Sequence, residues 1–197
     1  MKKHNISSLE ELSEKSKNNV EWFWESVEKD IGIVWDTSYT KTLDTSNGIP
    51  WSKWFVEGKT NLYKSSVEKF TKQTPEKIAY NFISEDGIET KLSYFELNTK
   101  VSKLANGFKS LGVKKGDVIA IYLPMIEEAI ISILAAAKIG AVQTIVFSGY
   151  SSESLKTRLQ DCHAKILITS DGFHRKGKAI SQKTTVDNAV IDTDIEK

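Results

Sequence analysis

The stretch from Asp117 to Lys178 constrains this chain most, because it reads as strand, helix, strand, helix, strand, with a turn former at each junction. Asp117 to Leu123 is an almost continuous apolar run between Gly116 and Pro124, as a strand buried on both faces requires. From Met125 to Ile139, residues Ile126, Ala129, Ile130, Ile133, Leu134 and Ala137 recur at helical spacing, and Gly140 supplies the stop. Gln143 to Phe147 reads as a second strand, Ser151 to Asp161 as a second helix opened by a serine cap, and Lys165 to Thr169 as a third strand. The expected fold is α/β in three layers, built on a parallel βαβαβ unit. Parallel strands joined by crossovers release their following loops along one edge, where open α/β sheets bind ligands. Those loops are Pro124-Met125, Phe147-Ser148-Gly149-Tyr150 and the run from Ser170 to Lys178, so aromatic faces and cations are expected in one crevice.

A length of 197 residues and an apolar fraction of 40% suit one compact domain with a sizeable core. Lysine plus arginine number 27 against 26 acidic residues, a formal charge of +1, so no whole-molecule field draws the chain to nucleic acid or an anionic membrane. Any anion site has to be local. Cys162 is the only cysteine, which excludes an internal disulfide or a cysteine zinc cluster and fits a reducing cytoplasm. The longest apolar run, Ala129 to Ala137, is far short of the roughly 20 residues that a membrane helix needs, and Met1-Lys2-Lys3 is followed by polar residues, so neither secretion nor membrane spanning is expected.

Ser7-Ser8-Leu9-Glu10-Glu11 has the form of a capped helix start, and Val20, Phe23 and Val27 line a second helix over residues 19–29. Trp22, Trp24 and Trp35 lack interleaved arginines, which fits core or docking residues better than a base-stacking platform. Thr37 to Gly58 shows turn formers and little periodicity, with Trp51, Trp54 and Phe55 beside Pro50; an irregular segment pinned by aromatics is expected. Asn61 opens a helix running through Phe70, and Ile78 to Ile83 and Ile88 to Leu92 flank the turn residues Ser84 to Gly87 as a hairpin. Ser93-Tyr94-Phe95-Glu96 is a capping box heading a helix with an apolar stripe through Leu97, Val101, Leu104, Phe108 and Leu111. After Lys178 a helical pattern runs through Ala179, Ile180, Val186, Ala189 and Val190, with no further strand expected.

Arg175-Lys176-Gly177-Lys178 concentrates three cations and a glycine where a helix is expected to begin, so side chains, backbone N–H groups and helix dipole would all face a phosphate; a solvated charge run has the same pattern. Asp171 either orients that loop or closes the turn after the strand. His174 lies far in sequence from His4 and His163 and has no matching acidic spacing, so no metal site is expected. Glu127 and Glu128 are adjacent on a helix and point apart, which suits the helix dipole rather than shared acid–base work. No G-x-G-x-x-G after a strand, no G-x-x-x-x-G-K-[ST] and no G-x-S-x-G occurs.

Asn61-Leu62-Tyr63, Lys91 to Leu97, Leu111 to Met125 and Ile139 to Val142 resemble the AMP-forming acetyl-CoA synthetases, and the run Lys-Gly-Asp-Val-Ile-Ala-Ile-Tyr-Leu-Pro-Met is specific to adenylate-forming acyl-CoA synthetases. The resemblance implies residues 1–60 as the helical, aromatic-rich segment of acetyl-CoA synthetases and 61–197 as part of an AMP-binding domain. It implies a ligase reaction in which carboxylate and ATP, with magnesium, give an acyl-adenylate and pyrophosphate, and the CoA thiol then displaces AMP. In that family an Arg-Gly-Gly-Lys loop holds CoA phosphates, which corresponds here to Arg175, Lys176, Gly177 and Lys178. A Phe-Gly-Gly-Phe turn borders the CoA adenine, which corresponds to Phe147, Ser148, Gly149 and Tyr150. Lys176 and Ser148 stand where the family has glycine. The family's serine- and threonine-rich phosphate loop, its later aspartate and arginine and its C-terminal lysine have no counterpart in these residues, so no catalytic residue is assigned and only part of a CoA site is expected. The chain then reads as an N-terminal portion of a synthetase, whether fragment or subunit of a split enzyme with a partner supplying the rest, or as a non-catalytic binding module; neither membrane nor nucleic acid is an expected partner.

Overall fold

The computed structural model describes residues 2–197, which divide into two compact units, one ending at Asn61 and one from Leu62 to Lys197. In the first, α1 (Leu9–Asn18) starts at Ser8, whose side chain accepts from the Glu11 N–H at 3.1 Å. Helix α2 (Val20–Ile31) starts at Asn19, which accepts from the Trp22 N–H at 3.0 Å, and ends at Gly32. Both caps offer a short polar side chain to an N–H that has no partner within the helix.

The segment after α2 departs from the irregular reading of Thr37 to Gly58. Strand β1 (Trp35–Thr37) pairs antiparallel with β4 (Lys59–Thr60), and β2 (Lys41–Asp44) with β3 (Lys53–Val56). Two short ribbons therefore occupy the segment, held together by rings rather than by an alternating apolar pattern. Trp35, Tyr39 and Phe55 form a mutual cluster with centroids 5.1 to 5.6 Å apart. Gly58 is obligatory beside it: a Cβ there would stand 2.7 Å from the Trp35 ring and 2.9 Å from the Phe55 carbonyl oxygen. Trp35 donates its indole N–H to Glu28 at 2.7 Å, and the buried Thr42 hydroxyl donates to Glu25 at 2.7 Å, so α2 carries the polar partners of the ribbons. Trp51 is exposed instead of docked.

The second unit opens with a helical segment that contains a π-helical stretch, Lys64–Glu68, and continues as α3 (Lys69–Gln73). Strands β5 (Ile78–Ile83) and β6 (Glu89–Ser93) form the expected antiparallel hairpin. Ser93 and Glu96 form a complete capping box at the start of α4 (Tyr94–Ser110). The central sheet is β7 (Val118–Tyr122), β8 (Val142–Ile145) and β9 (Ile166–Thr169), all parallel in the order β8-β7-β9. Helix α5 (Glu127–Ile139) connects the first two and α6 (Ser152–Cys162), capped by Ser151, connects β8 to β9. Met125 lies outside α5, exposed in the loop that precedes it.

Strand β7 explains the layering. Ile119 and Ile121 enter one core with Leu97, Val101, Phe108, Ile131 and Leu134, while Ala120 and Tyr122 enter another with Val146, Leu155 and Leu159. Period-two alternation on a strand apolar at every position thus yields helices on both faces, the three-layer arrangement expected. The Lys-Gly-Asp run is structural: the Asp117 carboxylate accepts the Lys114 N–H at 2.8 Å and pairs with Lys165 at 3.4 Å, closing the turn that launches β7. That main-chain N–H is the first cause of the lowered Asp117 pKa.

Arg175 to Lys178 is not the approach to a helix. Strands β10 (Gly172–Arg175) and β11 (Lys178–Ser181) form an antiparallel hairpin, and α7 (Lys183–Ala189) begins only after Gln182. Ala179 and Ile180, read as helical, lie in β11. Two central residues with φ values of 52° (Lys176) and 70° (Gly177) make the tight turn, the pattern of a type I′ hairpin.

Burial on β7 predicts an asymmetric response to truncation. Ile121→Ala should cost about 2–5 kcal/mol in urea unfolding, because it leaves a cavity between α5 and the sheet, whereas Ile145→Ala, its neighbour on the same face but exposed on the edge strand β8, should stay within about 0.5 kcal/mol. Equal losses would contradict the layer assignment.

Candidate functional site

Helices α5 and α6 flank opposite faces of the sheet although β7 and β8 are neighbours, so the loops that follow these two strands diverge and leave a crevice at the sheet's C-terminal edge. A broad groove of about 1380 Å³ lies there, lined by Pro124, Met125, Ile126, Phe147 and Ser148 from those loops, with Phe82 and Ile88 of the β5–β6 hairpin and Phe173, His174, Arg175 and Gly177 of the β10–β11 hairpin also on its wall. A smaller pocket of about 220 Å³ adjoins it. Ser148, Gly149 and Tyr150 form one side and Phe173, Arg175, Ile180 and Gln182 the other.

Of the eight residues singled out in the sequence, the structure brings six to these walls. Ser148 and Arg175 line both spaces, Phe147 and Gly177 the groove, and Gly149 and Tyr150 the smaller pocket. Lys176 and Lys178 line neither. Arg175 and Lys178 are nevertheless direct cross-strand partners, which places their side chains on one face of the ribbon. Two like charges in that position repel, and an anion bound between them relieves the repulsion. With no helix N-terminus at the tip, anion attraction there comes from side chains and turn amides alone.

The aromatic loop is tightly determined. Phe147 meets Tyr150 edge to face at 5.7 Å, and a Cβ at Gly149 would stand 2.5 Å from the Phe147 ring, so glycine lets that ring fold over its own loop. Ser148 is not among the residues of positive φ, and serine is accommodated there without backbone strain. Arg158 of α6 lies over the Tyr150 ring at 4.4 Å, its guanidinium held by the Ser154 carbonyl at 2.8 Å. Beneath the loop Tyr122 is buried, and its hydroxyl donates to the carbonyls of Ser148 and Tyr150 at 3.0 and 2.7 Å. Burial raises the Tyr122 pKa, which keeps the phenol a donor. Gln182, 1% exposed, donates to the Tyr122 carbonyl at 3.2 Å and accepts from the Ser170 hydroxyl at 2.5 Å. Tyr122, Gln182 and Arg158 were missed by sequence reasoning. A legible signal existed only for Tyr122, a phenol closing an aliphatic strand just before Pro124.

Asp171 makes the turn after β9: its side chain accepts the Gly172 N–H at 2.8 Å and its carbonyl accepts from Gln182 and Lys183 at 2.8 and 3.0 Å. Glu127 pairs with Lys100, and among the described residues no group of three or more His, Cys, Asp or Glu is arranged to hold a metal ion. Also among the described residues, no helix is long and apolar enough to cross a membrane.

Comparison with known proteins agrees with this architecture. Residues 67–196 match the family described as AMP-binding enzyme, and residues 9–65 match the family described as acetyl-coenzyme A synthetase N-terminus. The chain belongs to the AMP-binding enzyme family. An acetyl-coenzyme A synthetase of Methanothrix thermoacetophila is 43% identical over 96% of this chain and 29% of its own length. Acetyl-coenzyme A synthetase 2 of Saccharomyces cerevisiae is 40% identical over 96% of this chain and 28% of its own. Among solved structures, acetoacetyl-CoA synthetase from Streptomyces lividans superposes with a TM-score of 0.88 at 25% identity, over 97% of this chain and 29% of that one. The chain therefore spans under a third of the length of each of these relatives.

Lys176 carries a prediction about the hairpin. A β-carbon in the left-handed region costs about 1–2 kcal/mol, partly offset by the greater chain entropy of glycine. Lys176→Gly should accordingly slow hydrogen exchange across β10 and β11 by roughly two- to fivefold, the scale of several tenths of a kcal/mol. Faster exchange in that variant would show that the lysine is unstrained.

Proposed function

We propose that this chain is the N-terminal portion of an AMP-forming acetyl-CoA or other short-chain acyl-CoA synthetase, supplying scaffold and part of the CoA site. In this reading residues 1–60 form the segment that acetyl-CoA synthetases carry at the N-terminus, and residues 61–197 form part of the AMP-binding domain. Arg175 and Lys178 take CoA phosphates, while Tyr150, backed by Arg158, and Phe147 border the adenine. The observation that carries the reading is the pocket walled by Ser148, Gly149 and Tyr150 on one side and Arg175 and Ile180 on the other, because a flat aromatic base and an attached phosphate need that pairing of ring, aliphatic side chain and cation.

Within the complete reaction, carboxylate attacks ATP to give acyl-adenylate and pyrophosphate, and the CoA sulfur then attacks the acyl carbon and releases AMP. This chain's part is to bind and orient CoA for the second step. ATP, with the magnesium that accompanies it, is a substrate of the whole enzyme, and no residue here is assigned to either. The chain alone should therefore show no acetate-dependent exchange of pyrophosphate into ATP, and should gain it only with a partner that carries the remaining synthetase motifs.

CoA titration by calorimetry tests the site. Charge-assisted contacts of about 1.5–3 kcal/mol, weakened by screening at an exposed tip, set a loss of roughly tenfold in affinity for Arg175→Ala. Lys176→Ala should lose much less, since Lys176 sits at the turn and, unlike Lys178, is not the cross-strand partner of Arg175. CoA affinity indifferent to Arg175, or absent in the wild-type chain, would overturn the assignment.

A further inference from the structure

Across the groove from the cationic hairpin stands the turn of the β5–β6 hairpin. Its backbone is satisfied internally: the Gly87 N–H donates to the Ser84 carbonyl at 3.0 Å, and Ser84 exchanges main-chain and side-chain bonds with Ile88 at 3.0 to 3.2 Å. The Glu85 carboxylate is not consumed by the turn. It reaches across to accept the Gly177 N–H at 3.2 Å, a contact between residues 92 apart in sequence. Glu85, Asp86, His174, Arg175 and Gly177 all line the same groove, with Glu85 on the tip itself and the Asp86 charge near enough to interact with His174.

We propose that Glu85 is a resident competitor for the anion that the β10–β11 tip binds, its carboxylate occupying the Gly177 turn amide until a phosphate displaces it. The inference rests on the reading of this tip as a phosphate site. Three features of the geometry carry it. The Gly177 N–H is a tip donor in a turn whose flanking residues, Arg175 and Lys178, present opposed like charges on one face. A carboxylate oxygen is the protein's own analogue of a phosphate oxygen, and it already sits on that donor. The displaced Glu85 has an exposed turn in which to move, so the exchange needs no rearrangement of the core. Glu85 therefore sets affinity and salt dependence: an incoming phosphate gains Arg175, Lys178 and the amide, but gives up part of that gain to removing Glu85 and to the negative field of Asp86. A neutral amide at position 85 keeps an acceptor oxygen for the Gly177 N–H but competes more weakly than a carboxylate, and it removes one negative charge that repels the phosphate.

The test follows the Gly177 amide resonance by two-dimensional NMR in the wild-type chain, Glu85→Gln and Arg175→Ala, titrated separately with CoA and with inorganic pyrophosphate. In Glu85→Gln the Gly177 signal should respond at concentrations roughly two- to fivefold lower than in the wild type, the scale of a screened charge pair, and the difference should shrink in high salt. Arg175→Ala should shift the response to higher concentration. If Arg175→Ala weakens CoA binding while Glu85→Gln titrates like the wild type, the competitor role is wrong and the CoA site stands. A Gly177 signal that neither probe moves in wild type or Glu85→Gln overturns the competitor role as well as the site. A response to pyrophosphate alone, earlier in Glu85→Gln, supports the competitor and removes CoA as the tip's ligand.

Discussion

The candidate site depends on how Tyr122 ends the central strand. Its ring is buried between sheet and α6, its hydroxyl is shared between the carbonyls of Ser148 and Tyr150, and its own carbonyl accepts from Gln182. One residue thereby fixes the loop after β8 and the chain leaving the β10–β11 hairpin against the end of β7. A buried phenol or amide without partners would cost a few kcal/mol, so each member of the set holds the others in place. Removing the Tyr122 hydroxyl frees two carbonyls at the loop that carries Phe147 and Tyr150, without disturbing the aliphatic body of the strand.

From that anchor the division of labour follows. The core is conventional, with β7 inside two helical layers, and several unusual features gather on its C-terminal edge. Lys176 holds a left-handed backbone angle, Arg175 and Lys178 oppose like charges, Gly149 admits the Phe147 ring, and Phe147 and Met125 remain largely exposed. Such features are tolerated where the scaffold is over-determined, and they gather at the edge where the CoA site is proposed.

Much of this was legible in the sequence, for identifiable reasons. The continuous apolar run at Asp117 to Leu123, the serine caps at Ser8, Ser93 and Ser151, and the glycine stop at Gly140 are local signals that tertiary context did not override. Parallel strands release their following loops along one edge, which is enough to put Phe147 to Tyr150 and Arg175 together. What the sequence hid was non-local or turn-specific. The ribbons between Trp35 and Thr60 are short and held by ring contacts, so they carry no period. The hairpin at Arg175 to Lys178 was masked because a lysine occupies a position whose backbone angle favours glycine or asparagine, which removed the usual turn signature. Gln182 and Glu85 have no sequence signal, since their importance comes from partners at Tyr122 and Gly177 that are 60 and 92 residues away.

The most direct measurement is a crystal structure of this chain grown with CoA. The account predicts the adenine in the pocket between Tyr150 and Ile180, and phosphate oxygens within hydrogen-bond reach of Arg175 and Lys178 on their shared face of the ribbon. CoA seated elsewhere on the chain, or phosphates that leave both of these side chains in solvent, would contradict it.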